Sequence, residues 1–249
     1  MNWKKDLREK DDAVSPVIAL MLILAILATC MAVYTTTYVP GLKQQDEITH
    51  TGDVKLAFER FASDIDNTIA LGKPAVYTEV LELGGGDVVL SPTKSSGTIE
   101  VTETVIGSYT IDSNTENIIG IELSYLPSFT AWEKQGYLYK NGVVWITKDE
   151  KKTPSALKLY TIQNGTDREN ETIAGWYRLS GSILTIPKFS AYGVSEITGT
   201  SAVKLRLNAS VTDESLGSPE TVTISLPDRT IVYNGVETIR WFNIGVSVE

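Results

Sequence analysis

A run of uncharged residues near the start of the chain constrains its fold more than any other feature. Residues 13–42 contain no charged side chain and read AVSPVIALMLILAILATCMAVYTTTYVPGL. As a helix, residues 14–39 would measure roughly 39 Å, and the apolar core of a bilayer is about 30 Å thick. Because the run is apolar on every side, its whole helical surface must be buried. A core helix of a soluble protein could share this composition, but the polar sequence on both sides favours burial in a membrane or a filament.

The length of the run argues against a cleaved secretory signal. Such signals have an apolar region of about 7–15 residues followed by small residues at the cleavage site. Here the run is about twice that length, and it ends in Thr35, Thr36, Thr37 and Tyr38. Its front end carries helix-start residues, because Ser15 can cap a helix and Pro16 fits the first helical position. We therefore expect the helix to stay on the mature protein.

The leader and the start of the helix together resemble a known family. A short charged leader, then Ala13-Val14-Ser15-Pro16-Val17-Ile18 and a long uncharged helix, is similar to the N-terminal segment of archaeal type IV pilins and pilin-like surface proteins. The resemblance covers roughly residues 8–42. It implies that a prepilin-type peptidase cuts between Ala13 and Val14, releases residues 1–13 and leaves the helix on the protein.

Two positions in this segment differ from related families. The pilin family usually has a basic residue just before the small residue at the cut, whereas this chain has Asp11 and Asp12 before Ala13. Bacterial pilins have a Glu at the fifth mature position, where this chain has Ile18, and this agrees with the archaeal branch. Archaeal flagellar subunits typically have a Gly-rich start to the helix, so they resemble this chain less.

The distribution of charge predicts the orientation in a membrane and excludes one class of partner. Four Lys or Arg residues lie before the helix, but only Lys43 and Lys55 lie in the 20 residues after it. The positive-inside rule then places the N-terminus in the cytoplasm and residues 43–249 outside, at the cell surface. The net charge is −9, and removing residues 1–13 leaves it unchanged. Because phosphate backbones repel an acidic surface, we expect no nucleic-acid partner.

Residues 40–74 form the predicted connection to the outer domain. Pro40 and Gly41 are expected to break or kink the helix, and a polar stretch at 43–53 follows. A short amphipathic helix comes next, with apolar residues three and four positions apart at Val54, Phe58, Phe61, Ile65 and Ile69. The spacing suits a helix packed on the outer domain, and it equally suits a helix that continues the stalk across a sheet.

Residues 75–249 predict a β-domain. Alternating apolar residues predict strands at 76–83, 87–90, 101–111, 117–125, 172–179, 182–186, 203–211, 221–226, 229–233 and 238–248. The segment YLYKNGVVWI predicts a hairpin, because Asn141 and Gly142 suit a tight turn. The predicted fold class is α+β: a long N-terminal hydrophobic helix, a short amphipathic helix and a mainly antiparallel β-sandwich-like domain.

The inventory of reactive residues gives no catalytic set. His50 is the only histidine and lies in the polar stretch after the helix, where we expect it to be far from the sheet domain. Cys30 is the only cysteine and lies inside the helix. No Ser-His-Asp triad, Cys-His pair or zinc site can be assembled from these residues in the outer domain. We expect no enzymatic activity, no metal and no cofactor. Four tryptophans of the outer domain are interpreted as core residues rather than a ligand site: Trp132, Trp145, Trp176 and Trp241.

Three sequons permit N-glycosylation of an exported domain. They begin at Asn164, Asn170 and Asn208. A polar loop at 163–171 would expose Asn164 and Asn170, which makes them the better pair. Asn208 lies on the polar face of the strand at 203–211.

Two functional hypotheses follow, from different classes. In the first, the chain is a pilin-like subunit of a cell-surface filament or adhesive structure, in which helices of several copies pack together. The sequence offers Ser15 and Pro16 at the helix start, and small positions for close approach at Ala19, Ala25, Ala28 and Ala32. In the second, the helix stays in the membrane as a single-pass anchor, and the β-domain binds a ligand or the cell envelope. A soluble exported enzyme ranks third.

Overall fold

The computed structural model describes residues 15–85, 88, 94–149, 151–155 and 165–249. The predicted leader, the cut between Ala13 and Val14, and the sequon residue Asn164 lie outside these residues. Most of the predicted strand at 87–90 also lies outside them. The fold is α+β as expected, with one long N-terminal helix followed by a mostly antiparallel sheet.

One helical rod runs from Ser15 to Leu71. It consists of α1 (Ser15–Val33), a π-helical turn (Tyr34–Tyr38) and α2 (Val39–Leu71). The rod is therefore about 85 Å long at about 1.5 Å per residue. Of the two alternatives expected at Pro40 and Gly41, a break followed by a separate linker is wrong, because the helical structure is continuous there.

The π-helical turn explains how the helix passes the proline. In that turn the backbone N–H of Val39 donates to the carbonyl of Tyr34, five residues back. A proline within a helix removes one hydrogen bond, and its ring crowds the carbonyl four residues before it. A wider turn just before Pro40 relieves that crowding, as π-bulges do elsewhere in long helices.

The second half of the rod packs on the β-domain along one stripe. Its apolar part is the predicted one, with Val54, Phe58, Phe61, Ile65 and Ile69 all buried. Helix α2 contacts β1, β4, β5 and β10. The helix ends at Gly72, whose φ of 60° is left-handed and whose N–H donates to the carbonyl of Thr68. Glycine adopts this conformation without steric cost, and it reverses the chain into the first strand.

Eleven strands of the described chain join in one sheet. Their bounds are β1 (Ala75–Glu82), β2 (Ser96–Ile111), β3 (Asn114–Ser128), β4 (Gly136–Lys140), β5 (Val143–Lys148), β6 (Lys151–Pro154), β7 (Arg178–Ser180), β8 (Ile183–Ala191), β9 (Glu196–Gly199), β10 (Ala202–Ser225) and β11 (Thr230–Val248). The hydrogen-bonded order is β6-β5-β4-β3-β2-β10-β11-β8-β7. In addition, β1 pairs with β10 and β9 pairs with β2. Among the strands that the structure describes, only β8 and β11 pair in parallel.

The sheet curves back on itself around a shared core. Strand β8 lies against β2 and β3 although it pairs with neither. Side chains from both halves of the sheet, such as Leu123 and Phe242, join those of α2 in one buried cluster. This enclosed core agrees with the β-sandwich-like prediction, since apolar residues of facing strands point at one another.

Three local predictions can be compared with the structure. The hairpin is confirmed, with φ of 52° at Asn141 and 77° at Gly142 between β4 and β5. The predicted strand at 172–179 is wrong, because Gly165–Trp176 forms helix α3. Ile173 and Trp176 are buried three positions apart, which is a helical spacing that the alternating pattern obscured. The strands predicted at 229–233 and 238–248 are one long strand, β11.

Candidate functional site

The first half of the helical rod exposes its apolar side chains. Each described side chain from Pro16 to Val33 is exposed, and Leu20, Leu24 and Leu27 retain 59%, 57% and 60% of their accessible surface. Among the described residues this is the one helix long and apolar enough to cross a membrane. Water is a poor environment for such a surface, so α1 requires lipid or other protein around it.

Threonine side chains of this segment are already satisfied within the helix. The hydroxyl of Thr29 donates to the carbonyl of Ala25 at 2.8 Å. In the same way Thr35 donates to the carbonyl of Met31 at 3.0 Å, and Thr36 to that of Ala32 at 2.7 Å. These internal bonds leave the helix with little need for water, which suits an apolar environment.

The predicted small positions separate into two faces. At about 100° per residue, Ala25, Ala28 and Ala32 lie within about 60° of one another, and Ala19 lies on the opposite side. All four are exposed. Ala28 and Ala32 have the small-xxx-small spacing that allows helices to approach closely. Pro16 is in the first turn as expected, and the side chain of Ser15 is not described.

The helix changes from exposed to docked at Val39, and a polar group of side chains lies next to it. Lys43, Glu47, His50 and Thr51 are buried on the face of α2 that continues the apolar stripe. We call the packing of these four residues against the β-domain the joint. Sequence reasoning missed the joint because it searched for apolar residues alone. The buried positions 39, 43, 47, 50 and 54 are three or four residues apart, which is the spacing of one helix face, and this spacing is the sequence signal for the joint.

Glu47 is the centre of the joint. Its carboxylate is fully buried and accepts a hydrogen bond from the hydroxyl of Ser95. It also accepts the backbone N–H of Thr130 at 3.1 Å and that of Ala131 at 2.9 Å. Burial raises the pKa of Glu47, but these bonds and the charge of Lys43 outweigh it and hold the pKa below its usual value. An ionised carboxylate therefore binds α2 to the loop after β3.

His50 and Tyr125 form the second contact of the joint. The ring Nε2 of His50 lies 3.0 Å from the hydroxyl of Tyr125, which donates to the carbonyl of Leu83 at 2.9 Å. Phe129 packs edge-on against the same ring, with centroids 5.9 Å apart. The expectation that His50 lies far from the sheet domain is therefore wrong: the continuous helix brings it onto β3.

Glycine allows Tyr125 to approach the end of β1. A Cβ at Gly97 would lie 2.5 Å from Cε2 of Tyr125 and 2.4 Å from the carbonyl oxygen of Leu83. Such distances are well inside van der Waals contact, so no larger residue fits there unless the neighbours move. Further along the helix, the hydroxyl of Tyr137 donates to the carbonyl of Thr51 at 3.1 Å.

The joint is built for attachment. Burial lowers the pKa of His50, while the charges of Glu82, Asp53 and Asp46 act in the opposite direction. Its Nε2 is held by Tyr125, and the neighbouring carboxylate of Glu47 is bound by Ser95 and two backbone N–H groups. No group of three or more His, Cys, Asp or Glu side chains within the described residues could hold a metal ion. Chemically, the arrangement can fix the helix to the domain.

The remaining sequence candidates lie apart from the joint. Asn170 is half-buried on α3, because residues from 165 onward are helical where a loop was expected. Asn208 is exposed on β10 as predicted. Cys30 is exposed on α1. Trp145 and Trp176 are buried, in agreement with a core role, whereas Trp132 and Trp241 are only half-buried.

Comparison with protein-family models, curated proteins and solved structures gives no match to this chain.

Proposed function

We propose that the chain is a pilin-like subunit of a cell-surface filament, assembled through its N-terminal helix. The supporting observation is the exposure of α1 on all sides while α2, in the same rod, is docked on the β-domain. In this proposal a prepilin-type peptidase cuts between Ala13 and Val14. The N-terminus lies in the cytoplasm, residues 43–249 lie outside, and the β-domain is the adhesive or protective surface.

The exposed helix supplies the driving force for assembly. Burying one Leu, Ile or Met side chain contributes about 1.5–3 kcal/mol, and α1 exposes many of them. Outside the bilayer, other copies of the same helix are the surfaces that can cover α1 all round. The small face of Ala25, Ala28 and Ala32 then gives the closest approach between helix backbones.

The continuous rod and the joint suit a load-bearing subunit. The chain has no flexible linker between α1 and the β-domain in the described residues, because the helix is unbroken from Ser15 to Leu71. Glu47 fixes the helix to the loop after β3, and His50 fixes it to β3 itself, close to the end of the exposed part of the helix. Force on the β-domain is therefore transmitted directly to the helix that is buried in the shaft.

Matched substitutions on the two faces of α1 test the proposal. Ala28→Leu keeps the helix apolar but blocks close approach, and we expect it to abolish shed, sedimentable filaments while the protein still enters the membrane. Ala19→Leu makes the same change on the opposite face and is expected to retain assembly. Filaments would be counted by electron microscopy of shed material. If Ala28→Leu forms filaments to the same extent as the wild type, the proposal is contradicted.

A single-pass membrane anchor is the second candidate, because α1 is also long and apolar enough to cross a bilayer by itself. In that case lipid covers the helix and the outer domain acts as a monomer. The same two variants separate the hypotheses. A monomeric anchor yields no shed assemblies from wild type, and neither substitution changes its amount in the membrane.

A further inference from the structure

A groove lies where the turn between β2 and β3 meets β10 and β11. Its volume is about 470 Å³. Small-molecule sites commonly measure about 300–1,000 Å³, so the groove has room for a ligand of that class. The side chains that matter here are Tyr109, Asn114, Glu116, Glu214, Trp241 and Asn243.

The strand register places this groove far from the membrane helix. Ile99 of β2 pairs with Tyr125, the residue that meets His50 at the joint. Tyr109 is ten residues further along the same strand, or about 33 Å at about 3.3 Å per residue. On β11, Ile244 is level with the start of β1, because Ile244 and the first residue of β1 both pair with Ala209 of β10. Trp241 comes three residues earlier in the chain and lies further from the joint. The groove is therefore at the end of the domain that points away from α1.

Two half-buried aromatic rings form one part of the groove. The rings of Tyr109 and Trp241 have centroids 5.2 Å apart and planes inclined by 59°. Each ring is held by a carboxylate: Nε1 of Trp241 donates to Glu214 at 2.6 Å, and the hydroxyl of Tyr109 donates to Glu116. Rings fixed in this way offer an apolar surface at little cost in side-chain entropy.

Polar groups with spare hydrogen-bonding capacity form the other part. The amide of Asn243 donates to the hydroxyl of Thr212 at 3.1 Å, and its oxygen can accept. Asn114 is exposed on the hairpin side, and the carboxylates of Glu116 and Glu214 each have a second oxygen. Amide and carboxylate groups can bind adjacent hydroxyls of one ligand, with two contacts per side chain.

We propose that this groove binds a neutral carbohydrate, with a pyranose face on Trp241 and Tyr109 and its hydroxyls on Asn114, Asn243 and the two glutamates. A sugar ring has an apolar C–H face and a polar rim, and the groove presents both surfaces side by side. Its acidic lining, with Lys188 as the cation in it, repels phosphates and acidic sugars. The site goes beyond the proposed function and holds whether or not α1 assembles.

The test is saturation-transfer NMR on the full chain in a zwitterionic detergent that has no sugar headgroup. Cellotriose, mannotriose and chitotriose serve as the probes. We expect at least one of them to receive saturation on its pyranose C–H protons, with a dissociation constant in the millimolar range. Trp241→Leu is expected to weaken that binding by about tenfold or more, equivalent to about 1.4 kcal/mol.

Additional variants keep the test independent of folding. Asn243→Ala and Asn114→Ala change side chains at the rim and are expected to weaken binding while the circular dichroism spectrum is unchanged. Trp132→Leu removes a half-buried tryptophan outside the groove and should bind as wild type does. Absence of saturation for all three probes on wild type overturns the proposal. So does equal binding by wild type and by Asn243→Ala and Asn114→Ala.

Discussion

The hydroxyl of Tyr125 accepts a hydrogen bond from the Nε2–H of His50. Tyr125 has one hydroxyl proton, and it is directed to the carbonyl of Leu83, which can only accept. The contact of 3.0 Å between Nε2 of His50 and the Tyr125 oxygen must therefore use a proton on the histidine. The joint thus selects one neutral tautomer of His50 and links α2, β3 and the end of β1 through one chain of bonds.

This arrangement makes the stability of the joint depend on pH. Burial lowers the pKa of His50 below its ordinary value of 6.5, despite the opposing charges of Glu82, Asp53 and Asp46. The unfolded chain then binds a proton more readily than the folded one, so stability falls as the pH drops below about 6.5. In His50→Gln the amide still donates to Tyr125 but does not titrate. We expect the part of the pH dependence of stability that comes from His50 to disappear in this variant. Thermal unfolding in micelles between pH 7 and pH 5 is the measurement, and an unchanged slope in the variant contradicts the assignment.

Removal of the Tyr125 hydroxyl takes one hydrogen-bond partner from each of two buried groups. In Tyr125→Phe the Nε2–H of His50 and the carbonyl of Leu83 lose their bonds, and we expect a loss of about 1–3 kcal/mol in the free energy of unfolding. Tyr192→Phe makes the same change at a tyrosine that is 40% exposed and should alter stability by less than about 0.5 kcal/mol. Equal stabilities of the two variants in chemical denaturation would show that the bonds contribute nothing.

The glycine that receives Tyr125 offers a test by steric exclusion. Gly97 and Gly199 face each other in the pairing of β2 with β9. A Cβ at Gly97 would meet Tyr125 and the Leu83 carbonyl, whereas one at Gly199 has its nearest neighbour at 3.9 Å. We expect Gly97→Ala to cost about 1–3 kcal/mol and to change the near-ultraviolet circular dichroism of Tyr125. Gly199→Ala should have little effect, and a loss of the same size there would argue against the close approach.

Glu47 provides the second attachment and has its own pH range. In Glu47→Gln we expect a loss of about 1–3 kcal/mol, because the backbone N–H groups of Thr130 and Ala131 lose an ionised acceptor. The wild-type contribution is present above the ordinary carboxyl value of 4.5 and is lost as pH falls through the lowered pKa. Gln44→Ala, at an exposed position one turn earlier, is the control in thermal unfolding. If Glu47→Gln unfolds at the wild-type temperature, the carboxylate does not hold the helix.

Glycosylation should follow exposure of the acceptor. Asn208 and Ser210 of its sequon are both exposed on β10, whereas Asn170 and Thr172 are half-buried on α3. In protein from the native host we expect greater glycan occupancy at Asn208 than at Asn170, measured by mass spectrometry of glycopeptides. Asn208→Gln should remove that glycan. Full occupancy at Asn170 with none at Asn208 would contradict this order.

The apolar features of the fold could be predicted from the sequence because they follow from short-range periodicity. The exposed helix, the buried face from Val54 to Ile69, and the hairpin at Asn141 and Gly142 are all encoded within segments of a few turns or strands. The helix passes Pro40 because a π-helical turn absorbs it. Pro40 therefore does not mark the end of the helix. A proline shows where the hydrogen bonding of a helix must change, and the helix can continue after it.

The joint and the groove depend on partners that are distant in sequence. Glu47 contacts Thr130 and Ala131 across more than 80 residues. Helical spacing places Glu47 on the same face of α2 as Val39 and Val54, but the burial of its charge is decided by the distant loop that supplies the N–H groups. The same holds for Trp241, whose contact with Tyr109 depends on the end of β2 folding next to β11. Helix α3 was predicted as a strand because residues 172–179 are rich in β-branched and aromatic side chains, such as Thr172, Ile173 and Trp176.

The N-terminus of the mature protein is the most direct test of the filament proposal. We would sequence it by mass spectrometry in material from the membrane and from shed filaments of the native host. The account predicts a chain that begins at Val14 in both fractions, with α1 intact. A chain that begins at Met1 and occurs only in membranes would contradict prepilin-type processing and favour the single-pass anchor. A chain that begins after Val39 would contradict both hypotheses, because the exposed helix would be absent from the mature protein.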